Sequence, residues 1–157
     1  NAGFTVKHMM VTNVHGKFTS YDTKVEFDDA TKTFKKLVAN IDTNSIDTGI
    51  EKRDNHLRSD DFFAVEKFPK MTFEMTSYKA DGDDGKMTGN LTIRGITKPV
   101  VLEVEDISVL GDKVGFSVEG KINRQDFDLK WNKAIELGGV AVSDEVKIKV
   151  DIEAKKQ

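Results

Sequence analysis

The sequence predicts an all-β fold with a minor helical part: an antiparallel up-and-down barrel of about eight strands with a short helical cap. Three observations carry this reading. Apolar and polar residues alternate with a period of two over most of the chain, the alternating runs are long, and short turn-forming clusters separate most of them. Consecutive, hairpin-linked strands suit a closed barrel, which removes the exposed edges of an open sheet.

The first run spans residues 4–14, where Phe4, Val6, His8 and Met10 share one parity. The second, 16–27, contains Phe18, and the third, 34–43, contains Leu37 and Ile41; Asp28-Asp29-Ala30-Thr31 forms the turn between them. In the run 70–80, Met71, Phe73 and Met75 alternate with Thr72, Glu74 and Thr76. The stretch Asp81-Gly82-Asp83-Asp84-Gly85 turns the chain into 86–95, where Met87, Leu91 and Ile93 share a parity. Gly95 to Pro99 reads as the next turn, leading to 98–108 with Val100, Leu102 and Val104 in step. Leu110-Gly111-Asp112 then leads to 113–123, with Val114, Phe116 and Val118 on one parity. The last run, 144–154, sets Val146, Ile148, Val150 and Ile152 against Lys147, Lys149, Asp151 and Glu153.

Two regions depart from the alternation. Between Ile50 and Phe68 charges crowd together, and Ile50, Asp54, Leu57 and Asp61 recur at helical spacing. This predicts one helix followed by a helical turn at Asp60 to Phe63, with Ser59 placed to cap that turn. From Phe127 to Ser143, around Trp131, Gly138 and Gly139, no period is evident, and the segment reads as a long loop. With no internal repeat, linker or low-complexity stretch, residues 1–157 are expected to form a single domain.

Composition narrows the function. Apolar residues make up 38% of the 157, enough for a folded core. A net charge of -3 with signs mixed along the chain argues against nucleic acid, which needs a basic stripe. The absence of cysteine removes thiol nucleophiles, thiolate metal sites and disulfides. No apolar run reaches the ~20 residues of a membrane-spanning helix, so no integral membrane segment is expected.

Candidate chemistry is sparse. The spacing of His8, His15 and His56 fits no metal motif, and these are read as structural or surface histidines. Arg53 and Asp54 with Asp60 and Asp61 offer carboxylates for acid–base work, but a charged helix closing a barrel needs the same residues as caps and ion pairs. Leu57, Phe62 and Phe63 then pack inward as a plug. Asp81 to Gly85 resembles a calcium loop only superficially, because Lys86 stands where such a loop has glycine. No nucleophile-elbow spacing is present.

Three separated motifs carry a family resemblance: Arg53-Asp54-Asn55-His56-Leu57 with Asp60-Asp61-Phe62-Phe63, then Gly89 through Val100, then Ile122-Asn123-Arg124-Gln125-Asp126-Phe127. In this order they resemble the YceI family, from about Phe4 to Ala154. The resemblance implies a lipocalin-like barrel, a bacterial periplasmic location, and a polyisoprenoid or related isoprenoid or fatty-acyl molecule bound without catalysis, for storage or transport. It implies no cofactor besides that lipid. The family carries a further short extended segment before Phe4, and a histidine at the place of His8. Its members often dimerise, so a homodimer is among the implied partners.

The candidate tunnel then comprises Phe4, Val6, His8, Met10, Phe18, Leu37, Ile41, Met71, Phe73, Met75, Leu91, Ile93, Phe116, Val118 and Trp131. Arg53, Asp54, Leu57, Phe62 and Phe63 form the cap. An eight-stranded barrel either fills with side chains or holds one small ligand, and ~10-residue strands tilted by ~40° make it roughly 25 Å tall. Two other readings remain: a small enzyme on a lipid-like substrate, with His8, Asp54 or Arg124 near the mouth, and a stress-related interaction protein whose cavity is incidental.

Overall fold

The structure, a computed structural model, describes residues 2–8, 12–129 and 142–155. One antiparallel sheet dominates it. The strands are β1 (Ala2–His8), β2 (Thr12–Phe18), β3 (Tyr21–Asp28), β4 (Thr33–Asp42), β5 (Ile46–Asp47), β6 (Lys70–Asp81), β7 (Asp84–Ile93), β8 (Ile96–Leu110), β9 (Lys113–Asn123) and β10 (Val142–Lys155), and the helix α1 covers Glu51–Arg58. Their order across the sheet is β3-β4-β6-β7-β8-β9-β10-β1-β2-β5. Among the described residues the sheet is strongly curled but not closed, a half-barrel of ten strands where about eight were expected. β3 ends it on one side and takes no ladder partner on its outer edge among the described residues.

The strand count differs because β1, β2 and β3 stand where two runs were expected and because the two-residue β5 was not expected at all. The expected first run, 4–14, holds β1 and the start of β2, whose register pairs Ala2 with Phe18 and His8 with Thr12. Met9-Met10-Val11 contains no glycine, proline or asparagine to announce the reversal. Thr19 and Ser20 likewise break the expected run 16–27 into the end of β2 and β3, with the Thr19 amide donating to the Ser45 carbonyl at 3.1 Å.

The turn expected at Gly95 to Pro99 lies earlier. Arg94 and Gly95 have φ of 53° and 74°, a two-residue reversal with both centres left-handed, which matches the twist of the flanking strands. Pro99 sits inside β8, paired with Asn90. It is tolerated there because β9 pairs with β8 only from Glu103 onward, so no donor is required on the other side.

Inside the curl the inward parities of β3 to β10 meet. Phe34 is 2% exposed and lies at the centre of an aromatic cluster, its ring centroid 4.8 Å from Phe27, 5.1 Å from Tyr78 and 4.7 Å from Phe116. All three contacts are edge-on, the favoured arrangement for aromatic quadrupoles. Burial, reinforced by the Asp84 charge, pushes the Tyr78 hydroxyl up to about 12, so it remains neutral. This cluster fills one part of the half-barrel with side chains.

Candidate functional site

The cap is assembled from main-chain groups that side chains reach out to satisfy. Helix α1 begins at Ile50 without a side-chain cap, although Glu51 and Asp54 in its first turn and His56 and Arg58 in its last complement its dipole. Asp54 is buried, and its Oδ1 accepts the Thr48 amide at 2.9 Å and the Thr48 hydroxyl. Arg53 grips the same residue from the other side, Nε donating to Thr48 Oγ1 at 2.8 Å and Nη2 to the Thr48 carbonyl at 2.7 Å. The pair anchors the loop that enters the helix, and neither side chain faces the cavity described below.

Two further arginines complete the fastening. Arg58 donates to the carbonyls of Asn44 and Ile46, each at 3.0 Å, tying α1 to β5. Arg94, from the β7–β8 turn, donates to the carbonyls of Asp60 and Phe62 at 2.5 and 2.6 Å and lies 3.9 Å from the Asp128 carboxylate. Sequence reasoning assigned no role to Thr48, Arg58 or Arg94: Arg58 and Arg94 reach main-chain carbonyls, which leave no pattern in a sequence, and Thr48 meets Arg53 and Asp54 from outside the helix. Ser59 differs from expectation. Its hydroxyl donates back to the His56 carbonyl, and its own carbonyl accepts the amides of Phe62 and Ala64, closing the turn after α1.

Asp54→Ala is expected to lower stability by about 1–3 kcal/mol, because the Thr48 amide and hydroxyl lose their partner in a part-buried place. Urea melts of the variant and of Asp54→Asn, which keeps one acceptor oxygen, should rank wild type, Asn, Ala. Equal midpoints would remove the anchoring role.

Below the cap lies an apolar cavity of about 130 Å³ whose wall, among the described residues, presents no polar atom to the interior. Phe4, Phe18, Leu37, Ile41, Met71, Phe73, Leu91 and Val118, all expected in the tunnel, line it. Phe63 of the cap packs edge-on against Phe18 at 5.7 Å, and Phe18 lies 5.9 Å from Phe4, so the cap reaches the lining through one ring contact. Leu57 and Phe62 pack into the core beside it. Met87, Val100, Leu102, Ile148, Val150 and Ile152 also line the cavity. Their inward parity was legible in the sequence, and only the half-barrel's curvature selects them from the rest of the core.

Other expected lining residues lie elsewhere. Phe116 belongs to the Phe34 cluster, Ile93 is buried, and Met75 packs against the core, but none of the three borders the cavity. Parity tells which face a residue takes and not which end of the curl it occupies. Met10 and Trp131 fall outside the described residues, as do the side chains of Val6 and His8. Arg124 is buried in the single 3₁₀ turn after β9, where it donates to the Leu129 carbonyl.

Outside the half-barrel, the grooves of about 450 and 560 Å³ are shallow and lined by charged strands, with Glu103 in both. On this face Glu119 raises the Glu105 carboxyl above its usual range, followed by burial, Asp84, Asp106 and Glu103. Among the described residues no group of histidine or carboxylate side chains is arranged to hold a metal.

The model of the YceI-like domain matches residues 1–154. The chain belongs to the YceI-like family. Protein YceI of Salmonella newport (strain SL254) is 38% identical over 159 residues, covering 98% of this chain and 80% of the relative. The crystal structure of the Campylobacter jejuni YceI protein superposes with a TM-score of 0.83 at 40% identity, over 96% of this chain and 90% of that one. A polyisoprenoid binding domain from Saccharophagus degradans, implicated in plant cell wall breakdown, shares the fold at a TM-score of 0.73 and 17% identity, over 99% and 93% of the two chains. The cavity described above thus sits in a YceI-like half-barrel, under its helical cap. No helix among the described residues is long and apolar enough to cross a membrane.

Proposed function

We propose that this YceI-like protein binds a long-chain apolar molecule of the polyisoprenoid or related isoprenoid or fatty-acyl type in the half-barrel, storing or carrying it without catalysis. The observation that carries the reading is the cavity wall, which among the described residues offers apolar contacts and no polar atom. Such a wall recognises hydrocarbon and cannot hydrogen-bond a reacting group. The polyisoprenoid binding of the Saccharophagus degradans domain supports the same ligand class. Two groups that an enzyme reading would use, Asp54 and Arg124, are already engaged with Thr48 and with the Leu129 carbonyl. The reading includes a periplasmic location, to be checked by fractionation of the producing cells.

The volume sets a condition on this proposal. About 130 Å³ is close to the ~150 Å³ of an engineered cavity that holds benzene and below the ~300–1,000 Å³ of ordinary ligand pockets. A tail must therefore displace lining side chains as it enters. Met71 and Met87, flexible and unbranched, are suited to that movement.

Each methylene buried contributes about 0.8 kcal/mol before ordering costs. Affinity for alcohols of one head group should therefore rise with tail length and change little between low and high salt, since the charges lie on the outer wall. Calorimetric titration of graded prenols checks this, alongside mass spectrometry of the chloroform extract from freshly purified protein. Affinity indifferent to tail length but steeply dependent on salt would place the ligand on the outer surface and end the proposal.

A further inference from the structure

We infer that Gly16 and Gly120 set the bore of the apolar cavity, and so decide which tail cross-sections it admits; the inference rests on the lipid-binding reading above. Gly16 on β2 lies directly opposite Phe4 on β1. Residues so paired face the same side of the sheet with their Cβ positions about 4.5–5.5 Å apart. A Cβ placed on Gly16 would come within 2.6 Å of Phe4 Cε2, and the three atoms nearest to it all belong to that ring. The Phe4 ring therefore lies flat in the hollow that the missing side chain leaves.

The arrangement recurs across the half-barrel. Gly120 on β9 lies opposite Ile148, and a Cβ there would meet Leu102 Cδ2 at 2.5 Å, with the nearest main-chain atom at an ordinary 3.5 Å. Phe4, Leu102 and Ile148 all line the cavity. Gly89 shelters the Phe73 ring in the same way, but a Cβ at Gly89 would also press the Glu74 carbonyl at 2.6 Å, so substitution there disturbs the main chain. Large lining side chains are thus drawn back against the wall over glycines. Outward movement is blocked by the sheet itself, so a methyl group in either hollow has one place to send its neighbour, which is the lumen.

Gly16 and Gly120 carry no left-handed φ, so alanine meets no backbone strain at either position. Gly16→Ala and Gly120→Ala should fold and melt cooperatively while narrowing the bore. One methyl group in an apolar pocket changes discrimination by about 10- to 200-fold. Methyl-branched prenols such as geranylgeraniol should therefore lose about tenfold or more in affinity relative to a linear alcohol of the same carbon number. Adding Phe4→Leu to Gly16→Ala should restore the wild-type ratio, since the smaller side chain clears the lumen.

Calorimetric titration of wild type, both alanine variants and the Gly16→Ala/Phe4→Leu double variant with the two alcohol series tests the role of the glycines. Wild type that binds neither series overturns the lipid reading and this inference with it. Wild type that binds, with both alanine variants keeping its branched-to-linear ratio, overturns this inference alone. Failure of Phe4→Leu to rescue Gly16→Ala, or loss of cooperative melting in both alanine variants, overturns it as well, because the hollows would then be closed by main chain and not by movable side chains.

Discussion

Phe34→Ala is expected to cost about 3–5 kcal/mol of folding stability, a large part of the ~5–15 kcal/mol that a domain has available. The residue is 2% exposed and touches Phe27, Tyr78 and Phe116 by their ring edges, so truncation removes three aromatic contacts and opens a void between strands distant in sequence. The melting temperature should fall by roughly 10 °C or more. Glu119→Ala is the comparison: its carboxylate lies 3.7 Å from Lys149 with both side chains solvated, and its loss should stay within about 0.5 kcal/mol. Similar losses for the two would mean that the Phe34 cluster is not a tightly packed part of the core.

Leu91→Asp should be the most damaging single change at the cavity. It removes buried aliphatic packing, worth about 2–5 kcal/mol, and places a carboxyl against a wall that exposes no polar atom among the described residues. Desolvation must raise that carboxyl's pKa in the folded protein above its unfolded value of ~3.9. The folded state then binds the proton more tightly than the unfolded state, so stability relative to wild type falls as pH rises through the interval between the two values. Denaturant melts at pH 4 and pH 7 should show a smaller deficit at the lower pH, and ligand uptake should be lost. A pH-independent deficit would mean that water reaches Leu91 and that the cavity is not dry.

Much of the half-barrel was legible because period-two alternation is a direct imprint of a wall with one wet and one dry face. β6, β7 and β9 begin and end close to where turn chemistry placed them, as Gly82 and Gly111, both with left-handed φ, required. The β1–β2 reversal left no such imprint, and β5, a two-residue strand, is too short to alternate. The cap's location was visible in the charge crowding of residues 50–68, yet its fastening to Thr48, Asn44, Ile46, Asp60 and Phe62 runs through partners with no sequence signature. Phe116 shows the same limit for the cavity: its inward parity is plain, while its place in the Phe34 cluster depends on how far the sheet curls.

The open margin at β3 bears on how two copies of this chain can meet. An unpaired strand is a template for self-association into sheets and fibres. Asp22, Lys24 and Glu26 are all exposed along it, and a register shift between Glu26 and Phe27 bends the strand. If two copies joined antiparallel about a two-fold axis through Lys24, Lys24 would face Lys24 and Asp22 would face Glu26, so these charged pairs would repel, whereas an axis through Val25 would set Lys24 against Glu26. The charges along the margin thus choose among registers by sign, and two copies that met here would avoid the one centred on Lys24.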